Sequence, residues 1–93
     1  MAERPAPAVV HLPRSLVALF PGTERRVEVA GATVAEVIDE LDRVVPGIRN
    51  RVLDAGPAIR THLNVYVAGV RAGLDTPVPP RADVHIIPAV SGG

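Results

Sequence analysis

The 93-residue sequence predicts an α+β roll, a mixed sheet packed on one main helix. Three observations carry that expectation. Two alternating strand patterns precede a single capped, amphipathic helix. Further strand patterns follow it. The helix between the two groups supplies the crossover that a parallel pairing of the first and last strands requires.

Ala8, Val10 and Leu12 alternate with Val9 and His11, as in a half-buried strand that stops at Pro13. The apolar run Leu16–Phe20 fits either an extension of that strand or an apolar loop tucked under the core, and Pro21-Gly22 is a turn. Val27 and Val29 alternate with Arg26, Glu28 and Ala30 as a second strand. After Gly31-Ala32, Thr33 and Glu36 occupy the first and last positions of a capping box, which satisfies two orphan amide donors at a helix start. Val34, Val37, Ile38, Leu41, Val44 and Val45 then recur at helical spacing as one apolar stripe. Glu36, Asp39, Glu40, Asp42 and Arg43 fall on the other side, and Pro46-Gly47 ends the helix.

Ile48, Val52 and Leu53 predict a second, short helical piece with Arg49, Asn50 and Arg51 facing water; Asp54–Pro57 reads as a loop. Leu63, Val65 and Val67 alternate with Asn64 and Tyr66 as a third strand, turned by Ala68-Gly69 into a short return at Val70-Arg71. Leu74, Val78, Pro79 and Pro80 lie in an irregular stretch. Pro80–Asp83 turns into the last strand, with Val84 and Ile86 on one face and His85 and Ile87 on the other. This order is that of the β-grasp, ubiquitin-like roll. The expected divisions are an N-terminal arm at 1–7, the domain at 8–87 and a C-terminal tail at 88–93.

Composition removes several functions. One Phe, one Tyr and no Trp leave an aliphatic core, and 47% hydrophobic residues exclude a disordered chain. Without cysteine there is no disulfide, thiolate metal site or cysteine nucleophile, which fits a reducing cytoplasm. Ten basic and ten acidic residues cancel. The basic residues are dispersed and stacking aromatics nearly absent, which argues against nucleic acid as a partner. The longest apolar run, Leu16–Phe20, is far short of the ~20 residues of a membrane span. All ten basic residues are arginine, so no internal lysine can accept an isopeptide bond in a self-linked chain.

The most pointed feature is the ending Gly92-Gly93. Residues without a Cβ pass a channel too narrow for side chains, and a free α-carboxylate on Gly93 is ionised at neutral pH. A slender anionic tail suits an enzyme that activates a carboxylate with ATP. Two terminal glycines also arise by chance in about one chain in 200, or as an added scar, so the rest of the chain must decide. Ser91 reads as a small tail residue rather than a nucleophile. His11, His62 and His85 show no metal-ligand spacing, and Asp39, Glu40 and Asp42 read as a solvated helix face rather than paired catalytic carboxylates. Alternation places Tyr66, His85 and Ile87 on the sheet face away from the helix, with Val9 nearby. Apolar groups on a solvated face mark a candidate docking patch.

Thr33–Ile38 with Leu41 and the Pro46-Gly47 stop, Asn64–Gly69, and the ending Ile87–Gly93 together resemble the sulfur-carrier family that includes the molybdopterin synthase small subunit and the thiamine-pathway sulfur carrier (MoaD/ThiS), over roughly Val9–Gly93. Length and the Ile48–Leu53 insertion look more like the MoaD branch. Asn64–Gly69 and the Pro-Ala-Val approach to the tail also resemble actinobacterial carriers that feed sulfur to cysteine synthesis. Ala82 stands where the family usually has glycine before Asp83, which puts the turn type in question. The Val70–Leu74 stretch is also shorter than in such relatives.

The resemblance implies a protein co-substrate rather than an enzyme. A ubiquitin-activating-like adenylyltransferase would use ATP to adenylate Gly93, and a persulfide or rhodanese protein would supply sulfur. The resulting thiocarboxylate would serve an acceptor enzyme of the molybdopterin synthase or cysteine synthase type. The carrier itself would bind no cofactor and no metal. Val90, Ser91 and Gly92 would be read by the partner along the tail, and Tyr66, His85 and Ile87 would dock it. Two other readings remain open: a ubiquitin-like modifier conjugated through Gly93, and a β-grasp interaction module without tail chemistry.

Overall fold

The computed structural model describes residues 6–89; the expectations placed on residues 1–5 and 90–93 lie outside them. β1 (Ala8–His11) pairs antiparallel with β2 (Arg26–Val29), Ala8 opposite Val29 and His11 opposite Arg26. Their connection overturns the strand extension expected for Leu16–Phe20 and bears out the apolar segment tucked under the core, with Val17 and Phe20 packed against it. Pro13, with φ −73°, starts a single helical turn, α1 (Arg14–Val17), and its carbonyl accepts from the Leu16 and Val17 amides. The turn buries Leu16 and leaves Leu19 half exposed.

α2 (Val34–Val44) begins at Thr33, whose Oγ1 accepts from the Glu36 amide at 3.3 Å. The reciprocal half of the box is displaced by one residue: the Glu36 carboxylate accepts from the amide of Ala32, not Thr33. The next two orphan donors, Val34 and Ala35, find the carbonyls of Thr76 and Leu74 in the irregular stretch, each at 3.0 Å. Gly31 is required by close approach, because a Cβ there would stand 2.7 Å from the Val37 nitrogen. Val34, Val37, Ile38 and Leu41 are buried as the stripe predicts. Val44 is not; it lies at the stripe's edge in the last turn, 59% exposed, and Val45 just past the helix fills the core position.

The acidic side of α2 is partly structural. Asp42 Oδ1 accepts from the amides of Gly47 and Arg49, and Asp39 pairs with the Arg49 guanidinium at 2.9 Å. They hold the bend into α3 (Arg49–Val52), which buries Val52 next to the buried Ile48 and Leu53. The expected Asp54–Pro57 loop is the tip of a small ribbon, β3 (Leu53–Asp54) against β4 (Ala58–Ile59).

β5 (Leu63–Val67) turns into β6 (Val70–Ala72) through Ala68 and Gly69, both at positive φ. That is the geometry a two-residue hairpin turn demands. The turn before β7 (Asp83–Pro88) places its positive φ on Arg81, not on Ala82. The missing glycine therefore leaves no strained alanine. β7 is the central strand, parallel to β1 and antiparallel to β5, in the order β2-β1-β7-β5-β6. The inner faces of β1, β5 and β7 carry Ala8, Val10, Leu63, Val65, Val67, Val84 and Ile86, which close an aliphatic core against α2. No helix among the described residues is long and apolar enough to cross a membrane.

Candidate functional site

Strand parity leaves the other face of the five-stranded sheet uncovered by α2, and register aligns its side chains into rows. Arg26, His11, His85, Tyr66 and Arg71 stand opposite one another across β2, β1, β7, β5 and β6. The His11 and His85 rings stack with centroids 4.2 Å apart and planes 8° from parallel. His11 Nε2 lies 2.9 Å from Asp83 Oδ1. The hydrogen bond from His11 holds the Asp83 carboxyl below its ordinary value of 3.8, with the nearby His85 and Arg26 adding to the pull.

One strand step further along, Ile87 stands opposite Asn64 and is 42% exposed. Asn64, Tyr66, Gly69, His85, Ile87 and Pro88 line a shallow open groove of about 600 Å³. The structure thus brings together Tyr66, His85 and Ile87, the three residues expected from alternation alone. Val9 does not join them. It shares the face but pairs with Asp83, four residues back along β7 from Ile87, or about 13 Å. The histidine stack was not anticipated. Its only sequence signal is the outward parity of His11 and His85, which becomes contact once parallel pairing sets the register. Among the described residues no group of three or more histidine, aspartate or glutamate side chains is placed to hold a metal ion.

The groove ends at Pro88. Pro88 pairs with Leu63 as the last residue of β7, and the Ala89 amide donates to the His62 carbonyl at 2.8 Å. The sheet therefore grips the chain one or two residues beyond the expected boundary at 88. Val90, Ser91, Gly92 and Gly93, the expected tail-recognition and modification residues, lie outside the described residues.

A five-stranded mixed sheet packed on one main helix, with the last strand at its centre, defines a ubiquitin-like β-grasp fold. Comparison with known proteins narrows the class. The ThiS family model matches residues 10–93, and the chain belongs to that family. The sulfur carrier protein CysO of Mycobacterium tuberculosis is 35% identical over 78 residues, covering 77% of this chain and 84% of the relative. A chain in the crystal structure of the Amycolatopsis orientalis BexX/CysO complex superposes with a TM-score of 0.80 at 32% identity, covering 92% of this chain and 99% of that one. SAMP1 from Haloferax volcanii gives 0.78 at 26% identity, covering 95% and 100%. These matches give the ThiS family, CysO and SAMP1 by name.

Proposed function

We propose that this protein is a sulfur carrier charged at Gly93. The observation that carries the reading is the family match through residue 93, on a fold whose central strand ends at Pro88. An activating enzyme joins the Gly93 carboxylate to the α-phosphate of ATP, releasing pyrophosphate and leaving an acyl-adenylate. The terminal sulfur of a persulfide attacks the acyl carbon and expels AMP. Reduction of the resulting acyl disulfide by a second thiol leaves the thiocarboxylate, a stronger and softer nucleophile than the carboxylate. The carrier supplies no catalytic group. It supplies an anchored tail base and a docking face. Four residues beyond Ala89 span at most about 14 Å, so the partner must close over the end of the sheet for Gly93 to reach a buried nucleotide.

Tyr66, His85 and Ile87 are the docking residues in this reading, because their groove runs up to Pro88. Val90, Ser91 and Gly92 fit the partner's channel, being small or short. Likeness to CysO favours an acceptor of the cysteine synthase type over the molybdopterin synthase large subunit. A second reading is favoured by the likeness to small archaeal modifier protein 1, at 27% identity: conjugation of Gly93 to lysines of other proteins. Both begin with the same adenylate. Incubation with a cognate adenylyltransferase, ATP and a sulfur donor, followed by intact mass measurement, separates them. Exchange of one oxygen for sulfur supports the carrier, and an isopeptide from Gly93 to another protein's lysine supports the modifier.

A further inference from the structure

Arginines are spread along the sequence, but their ion-pair partners are not spread evenly over the fold. Arg26, Arg43 and Arg49 each pair with a carboxylate, to Glu28, Glu40 and Asp39. Arg71 and Arg81 have no carboxylate within 4 Å among the described residues, and neither have Arg14, Arg25, Arg51 and Arg60, four that lie together. These four line two shallow grooves that share Ser15 and Pro88 as common walls. Arg14 and Arg25 lie in one, with His11 and His85; Arg51 and Arg60 lie in the other, with His62. No acidic side chain lines either groove. Pro88 is where β7 ends, so the grooves flank the base of the tail.

The hydrogen bonding of these arginines leaves their charge exposed. Arg60 donates twice to the Asn50 carbonyl, and Arg25 donates to the Leu12 carbonyl. A neutral acceptor orients a guanidinium without cancelling it. Arg14 and Arg51 make no side-chain hydrogen bond among the described residues and are exposed. Leu19, half exposed, stands in the wall of the second groove. Arginine around an apolar anchor is the composition of a protein interface, and a planar guanidinium pairs with carboxylates in bidentate fashion.

We propose that this cationic collar docks on an acidic protein surface, a rim of Asp and Glu around the mouth of the channel that receives the tail on the activating enzyme. The inference rests on the tail reading above, because tail insertion is what brings such a rim against Pro88. The collar steers the encounter and orients the tail, so it acts on association rate and on its salt dependence. A protein surface is favoured over nucleic acid because the whole chain has no net charge and no Phe, Tyr or Trp lines either groove.

Two measurements test it, and neither requires the tail to be activated. In the first, binding of the full chain to the adenylyltransferase without ATP is followed at low and physiological salt. Arg14→Glu with Arg51→Glu should slow association by about tenfold at low salt and flatten its salt dependence. Arg43→Glu with Arg81→Glu, an equal change of charge elsewhere, should change it less than about twofold. Equal losses from the two pairs overturn the proposal, as does retention of wild-type association by the collar variant. In the second, the isotope-labelled chain is titrated with hexaglutamate and with a thymidine oligonucleotide. Amide shifts concentrated at 14–16, 51 and 60–62 with hexaglutamate support the collar. Shifts spread over all arginines overturn it, and tighter binding of the oligonucleotide at the same residues replaces the acidic protein with nucleic acid. Failure of the mass exchange at Gly93 would remove sulfur loading without altering either result.

Discussion

Ile87 is a branched apolar residue at the end of a central strand, 42% exposed and opposite Asn64. Burial does not explain it; in the reading proposed above it is an apolar anchor for the partner. Ile87→Asp should slow adenylation by about tenfold or more, as loss of an apolar anchor does. It should cost no more than about 1 kcal/mol of stability, the usual span of strand substitutions, which a thermal melt checks. Asp83 gives a prediction in pH. Its carboxyl is held below 3.8 in the folded chain by His11, so the contribution it makes to stability is present above that value. That contribution is lost as pH falls through the lowered one. Asp83→Asn should therefore be less stable than the parent near neutrality, and the difference should vanish in acid melts below the usual carboxylate range. Both groups of the pair are solvent-exposed, so the effect is small. Tyr66, His85 and Ile87 were legible as a patch because alternation alone fixes their side of the sheet. The His11–His85 stack was not, because contact between residues 74 positions apart depends on register, which no local pattern records.

At the level of elements, α2 shows what local signals specify and what they omit. Spacing identified Val34, Val37, Ile38 and Leu41 as its buried stripe, because a helical period is a property of neighbouring residues. The capping residues were legible too. The actual donors and acceptors were not, since the Val34 and Ala35 amides are satisfied by carbonyls of a stretch some 40 residues later. Val44 was misplaced because only the extent of the sheet beneath decides where the stripe stops being covered. The one-turn helix α1 and the β3–β4 ribbon were missed for a related reason: each is too short to display a period. Gly31 is the element-scale constraint that composition concealed. Its Cα sits against the first turn of α2, and Gly31→Ala would push a methyl to 2.7 Å from the Val37 nitrogen. The backbone cannot yield cheaply there, so the variant should lose about 1–3 kcal/mol, read as a lower midpoint in urea.

Across the whole molecule, the parallel pairing of β1 with β7 places the last strand at the centre of the sheet and sends the chain off its end at Ala89. In the tail reading, a partner reaching past Pro88 meets the open face, which one arginine-lined groove shares through His85 and Ile87, and the second groove beside Leu19. The fold followed from the order of the elements; the arginine-lined grooves did not, because their residues are scattered along the sequence, and the identity of the sulfur acceptor is carried by no element of the chain. The most direct test of the carrier reading is the intact mass of the full chain after incubation with ATP, its adenylyltransferase and a sulfur donor. The account predicts a single exchange of oxygen for sulfur confined to Gly93, abolished by Gly93→Ala. An unchanged mass, from an adenylyltransferase shown to be active on another carrier and to bind this chain, would contradict it.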